Sequence, residues 1–257
     1  MIPILEQYSP RTACKGCGEA NAIDFDFEYA YQPIVQVSTR SIYAHEALVR
    51  GPNGEPAPTV LSKVNKDNIY HFDQACRVKA VEGAARLGMR ERLSINFLPN
   101  AVYRPEVCIR TTLEAARRTG FPVENIIFEV TESEQVTDRA HLVGIFREYD
   151  RLGFHTAIDD FGAGYAGLNL LAEYQPHIVK LDMDLVRNID TSAARQAIVR
   201  HTVALCRDLG VTVLAEGVET SAERDVLIAA GIDLLQGYLF SKPIFNGLAT
   251  IPDAAWA

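Results

Sequence analysis

The chain has 257 residues, 48% of them apolar and 23% charged. That is enough for a sizeable core and excludes a disordered polymer, and no apolar run approaches the roughly 20 residues of a membrane span. A net charge of −8 argues against a broad surface for long nucleic acid. It leaves room for a small anionic ligand, because a bound cation inverts the sign of a site locally.

Residues 1–26 show no sustained period and read as an N-terminal arm. The arm has no basic n-region and its apolar run is too short for a signal peptide, so the expected location is cytoplasmic. It carries a CxxC at Cys14 and Cys17. A structural zinc site needs four ligands and no second close pair exists, so the pair reads as incidental, with half a zinc site or a redox pair as alternatives. Five cysteines, an odd number in a long chain, do not form a disulfide framework. Cys76, Cys108 and Cys206 lie in apolar patterns and read as core.

From residue 28 the elements follow in order. "EYAYQPIVQV" and "IYAHEALVR" are strands joined by "STRS", a short turn that predicts an antiparallel hairpin. A helix follows over 69–88, with Ile69, Phe72, Ala75, Cys76 and Lys79 at helical spacing. Then come strand "RLSINFLP", helix 106–119, strand "NIIFEVTE", and helix 138–152 with Thr137 or Asp138 as its N-cap. Strand "FHTAIDD", a short helix over 166–173, strand "HIVKLDM", and helix 191–209, with Thr191 or Ser192 near its cap, come next. Strand "VTVLAEGVE", helix 221–230 and a last strand, "DLLQGYLF", complete the pattern. Regular alternation predicts an α/β domain, a closed parallel barrel with helices outside. The opening hairpin is an irregularity for such a barrel, and an open doubly wound sheet is the alternative.

Polar residues gather at the strand ends: Glu46 and Arg50, Asn96, Glu129 and Glu132, Asp159 and Asp160, Lys180 and Asp182, Glu216 and Glu219, Gln236. In a barrel these ends meet at one rim, where such folds hold their active sites. Several have bland readings. Asp160, Glu132 and Glu219 suit helix N-caps, Asn96 a cap or turn, Gln236 turn chemistry, and Arg50 a surface ion pair. Glu46, Glu129, Lys180 and Glu216 sit inside or at the end of apolar strands, and burying an unpaired charge costs several kcal/mol. Lys180 and Asp182, two apart, face one side. Lys180 alone cannot neutralise Glu46, Glu129, Asp159, Asp160 and Glu216, whereas divalent cations can. Oxygen ligands with one amide favour Mg²⁺ or Mn²⁺ over zinc. Two such ions clamp the attacking and leaving oxygens of an in-line phosphoryl displacement. The residues therefore point to metal-assisted hydrolysis of a phosphate ester.

Seven ordered segments, "EALVR", "INFLP", "FEVTE", "IDDFGAGYAGL", "VKLD", "AEGVET" and "QGYLFSKP", resemble the motifs of the bacterial EAL-domain cyclic-di-GMP phosphodiesterases. The resemblance implies a TIM-like (β/α)8 barrel with one antiparallel strand near the N-terminus, over residues 27–250. It implies hydrolysis of cyclic-di-GMP to linear pGpG with two Mg²⁺ or Mn²⁺ ions. Glu46, Asn96, Glu129 and Asp159 would ligate one ion, and Asp159, Asp160 and Glu216 the second. Lys180 would orient the attacking water, with Glu216 either a general base or a metal-associated acid. Arg50 would contact phosphate, and Gln32, Leu48, Asp182 and Gln236 would line the substrate groove. Glu132, and with it Glu219, would hold the glycine-rich loop, which lies near a dimer interface in the family, so a homodimer is expected. That loop reads "FGAGYAGL" where many members have "FGTGYSSL", which touches regulation more than chemistry. A cyclic-di-GMP receptor without useful turnover is the alternative function.

Overall fold

The computed structural model describes residues 23–131, 138–164 and 167–256. Cys14, Cys17, Glu132 and Thr137 lie outside them. The hairpin is present: β1 (Glu28–Gln36) pairs antiparallel with β2 (Ser41–Arg50), with a register shift between Ile34 and Val35. The helices that follow are α1 (Ala57–Leu61) and α2 (Ile69–Arg86). After β3 (Arg92–Asn96) come α3 (Pro105–Cys108), α4 (Arg110–Thr119), β4 (Ile126–Thr131) and α5 (Arg139–Arg151). The second half runs β5 (His155–Phe161), α6 (Gly167–Glu173), β6 (Ile178–Leu181), α7 (Met183–Val186), α8 (Ala193–Asp208), β7 (Thr212–Ala215), α9 (Ser221–Ala229), β8 (Leu234–Gln236) and β9 (Ile244–Phe245).

Strands β2 to β8 are parallel neighbours in chain order, and β1 is antiparallel to both β8 and β2. The sheet therefore closes on itself, and the doubly wound alternative falls away. Strand β9 adds to β1 through Ala30 and Tyr31. Helix starts follow local chemistry. Asp138 caps α5 by accepting from the His141 amide at 3.0 Å, and Ser192 caps α8. Thr220 and Glu223 form a capping box on α9, so Thr220 takes the capping role that the sequence offered to Glu219.

Some elements differ from expectation. The helix predicted over 106–119 is two helices that meet at Ile109. The last strand stops at Gln236; the next residue, Gly237, lies against the backbone of Val218, where a Cβ would come within 2.0 Å of the Val218 carbonyl oxygen. Cys76, Cys108 and Cys206 are buried, as expected.

Inside the barrel, Ile34, Ala44, Ile127, Ala157, Ile178, Leu214 and Leu234 form one buried apolar cluster. Side chains on a strand return to the same face every second residue. One such step toward the mouth, along the seven strands that carry these residues, reaches Gln32, Glu46, Glu129, Asp159, Lys180, Glu216 and Gln236. The barrel thus has an apolar floor and, directly above it, a polar layer. A second, larger cluster fills the space between barrel and helices, including Phe97, Phe128, Phe146 and Tyr149.

Candidate active site

The polar layer is organised around one cation. The Lys180 ammonium, whose side chain is 1% exposed, lies 2.7 Å from Glu216, 3.1 Å from Glu129 and Asp159, and 3.7 Å from Glu46. Adjacent carboxylates are further tied by amides and a hydroxyl. Asn96 Nδ2 donates to Glu46 Oε1 at 3.1 Å and Glu129 Oε1 at 2.9 Å. Gln236 Nε2 donates to Glu46 Oε2 at 2.7 Å, and Ser94 Oγ to Glu129 Oε2 at 2.6 Å.

Asp159 and Asp160 would point to opposite faces of a regular strand. Here the β5–β6 register shifts between Ile158 and Phe161, and Asp160 adopts φ +53, a left-handed conformation that aspartate tolerates better than most residues. This bulge turns both carboxylates to the mouth. Asp159 also accepts from the Asp160 amide at 2.9 Å.

Two groups of ligand oxygens result. Those of Glu46, Glu129 and Asp159 lie within 4.8 Å of one another, and so do those of Asp159, Asp160 and Glu216. Asp159 belongs to both. The donors are carboxylates with one neighbouring amide, a set that fits hard divalent cations. Five carboxylates facing one ammonium leave an excess of negative charge that such ions would relieve.

The electrostatics record that excess. Burial would lower the Lys180 pKa, but the surrounding acids raise it well above the usual lysine value. Burial raises Glu129 and Glu216 well above the usual carboxylate range, and Lys180 only partly opposes it. For Glu46 the burial penalty is outweighed by Lys180 and the hydrogen bonds to its carboxylate, so its pKa is lowered. Asp160 is raised to about 6, by burial first and then by the charges of Asp159 and Asp182.

A cleft of about 380 Å³ opens over this layer, lined by Gln32, Glu46, Leu48, Asp160, Glu216 and Gln236 among others. Gln32 also donates to the Ser241 carbonyl at 3.3 Å. Three further lining residues, Met183, Arg187 and Tyr238, were not singled out from sequence. Ser94 was also missed, although it stands two residues before Asn96 on the same strand face. Arg50 lies elsewhere: its guanidinium donates to the Val49 carbonyl at 2.7 Å, and it lines a second cavity of about 280 Å³ that shares Leu48 with the first. Asp182 caps α7 by accepting from the Asp184 amide at 2.8 Å. Glu219 pairs with Arg187 at 2.9 Å.

The EAL domain family profile matches residues 20–243. The chain is 35% identical over 233 residues to "Cyclic di-GMP phosphodiesterase RocR" of Pseudomonas aeruginosa, an alignment covering 85% of this chain and 58% of that protein. Its fold is similar to the crystal structure of a standalone versatile EAL protein from Vibrio cholerae O395 in its c-di-GMP bound form. That match has a TM-score of 0.88 and 56% identity, and covers 91% of this chain and 99% of the other. It is also similar to Klebsiella pneumoniae BlrP1 in a manganese/cy-diGMP complex, with a TM-score of 0.83, 35% identity, and 90% and 60% of the two chains covered. The curated relatives are mostly longer: the chain spans 58% of RocR and 21% of an Escherichia coli relative.

Proposed function

We propose, from the premise that this chain belongs to the EAL domain family, that it is a Mg²⁺- or Mn²⁺-dependent phosphodiesterase that opens cyclic-di-GMP to linear pGpG. The observation that carries this reading is the pair of carboxylate groups sharing Asp159 at the floor of the cleft. Glu46, Asn96, Glu129 and Asp159 are assigned to one cation, and Asp159, Asp160 and Glu216 to the other. The Asn96 amide now turns its nitrogen toward the acids, so ligation would present its oxygen instead. Bound there, two divalent cations would activate water and offset charge on the reacting phosphate.

The chain's own residues do the rest. Lys180 gathers the carboxylates into one layer and would orient the attacking water. Gln236 holds Glu46, and Ser94 holds Glu129. Gln32, Leu48 and Gln236 line the groove for the dinucleotide. Arg50 would leave the Val49 carbonyl to meet a phosphate, a ligand that suits its planar fork. Asp182 is assigned to the substrate side of α7, and Glu219 and Glu132 to support of the loops around the mouth. The barrel is taken as residues 27–250 and the preceding segment as an arm.

We further propose a cytoplasmic homodimer. No helix among the described residues is long and apolar enough to cross a membrane. Leu168, 65% exposed beside the glycine-rich loop, supports a second copy at that face. The test of function is incubation of the purified chain with cyclic-di-GMP and Mn²⁺, with nucleotides resolved by chromatography. Appearance of pGpG is expected; tight binding without product would instead favour a receptor.

A further inference from the structure

Beside the second cavity, helix α2 buries an ion pair that the proposed chemistry does not use. Asp73 and Arg77, one turn apart on α2, pair with side chains 1% and 0% exposed. Removing two charges from water carries a penalty, and apolar residues of similar size would often serve stability as well or better. The pair therefore calls for a role beyond packing.

Its hydrogen bonds lead toward the site. Arg77 Nη1 donates to the Tyr149 hydroxyl on α5 at 2.9 Å. Asp73 Oδ1 accepts from the Leu98 amide at 2.9 Å, two residues beyond Asn96. Between them, the Phe97 amide donates to the Glu129 carbonyl at 3.1 Å, and the Phe97 ring lies 5.7 Å from that of Tyr149. Asn96 itself is exposed and borders the second cavity, so close packing does not fix its amide. Its amide is held by its hydrogen bonds to Glu46 and Glu129 and by the backbone that carries it.

The geometry points to Asp73, held by Arg77 and Tyr149, as a positioning residue for Asn96 and through it for the first cation. The inference rests on the metal-site reading proposed above. Partners outside the ligand set that orient a metal ligand commonly change metal affinity about 10–100-fold when lost. Asp73 would act in that way through two residues of backbone rather than by a direct bond to the ligand.

The test is Mn²⁺ uptake by calorimetry on the full chain, with melting temperature recorded alongside. Asp73→Leu combined with Arg77→Met removes both charges and the acceptor for the Leu98 amide; about tenfold weaker uptake is expected. Asp73→Asn combined with Arg77→Met restores an acceptor without restoring charge, and uptake near the native value is expected. A purely structural role would lower melting temperature in both pairs and leave uptake native in both, which would overturn the inference. If the first pair does not fold, Asp73→Ala combined with Arg77→Met decides: it removes the same acceptor for the Leu98 amide with a smaller side chain. Weaker uptake supports the inference, and unchanged uptake contradicts it. Asn96→Ala is the control. If it leaves uptake unchanged, the metal-site reading fails. If it weakens uptake while the Asp73 variants do not, only the positioning role fails.

Discussion

Glu46 takes hydrogen bonds from Asn96 and Gln236 and lies within reach of Lys180. As a proposed direct ligand it should matter more than an outer partner. Glu46→Ala is expected to lower turnover by more than the roughly 10–100-fold typical of outer-shell losses; near-native turnover would remove it from the ligand set. Asp160 gives a pH signature. Its carboxyl is raised from 3.8 to about 6, so the folded state binds this proton more tightly than the unfolded chain does. The resulting destabilisation is absent below about 3.8, grows as pH rises, and is complete above about 6. With metal chelated, Asp160→Asn should therefore melt above the native chain at pH 7, and the gap should close on acidification through this window. Excess Mn²⁺ should reverse the order at pH 7, because the native carboxylate gains a cation. A gap that ignored pH would contradict the assignment.

At the scale of elements, the β5 bulge decides whether two adjacent acids share one site. Asp160→Val places a β-branched side chain at φ +53, where a left-handed residue costs roughly 1–2 kcal/mol, and should lower the melting temperature beyond Asp160→Asn. Equal melting would mean the bulge relaxes at no cost. Much of this was legible beforehand. The strand ends and the acids at them follow from short apolar segments alternating with helical ones, and the motifs fixed their order. The bulge was hidden, because nothing in "IDDFG" distinguishes a left-handed Asp160 from a regular one. So was part of the buried face of α2: the apolar spacing pointed to Phe72 and Cys76, which are buried, and to Ala75 and Lys79, which are not, while the fold also buries Asp73 and Arg77. Opposite charges four apart inside an apolar face were the available signal. Arg50 shows the remaining limit: its side chain is free to rest on the Val49 carbonyl, and sequence does not choose among rotamers.

For the whole molecule, closure of the sheet brings residues from Gln32 to Gln236 onto one rim. The buried apolar floor beneath that rim is a low-dielectric surrounding in which the charge interactions above it act more strongly than in water. Lys180 balances only part of the charge collected there. Lys180→Met should destabilise the metal-free barrel by about 3 kcal/mol, the lower range for breaking a buried pair. For a domain of this size that is roughly 6–12 °C in melting temperature. Added Mn²⁺ should recover part of the loss, because the same acids can be neutralised by either kind of cation. A melting temperature unmoved in chelator would show that Lys180 does not hold the layer together.

The claim on which the account turns is that this rim holds divalent cations, and anomalous diffraction at the manganese edge from crystals soaked in Mn²⁺ tests it most directly. The account predicts two peaks about 3.5–4 Å apart, one within Glu46, Asn96, Glu129 and Asp159 and one within Asp159, Asp160 and Glu216. Crystals with no peak at either position, and with Lys180 still bound to the acids as it is here, would contradict it.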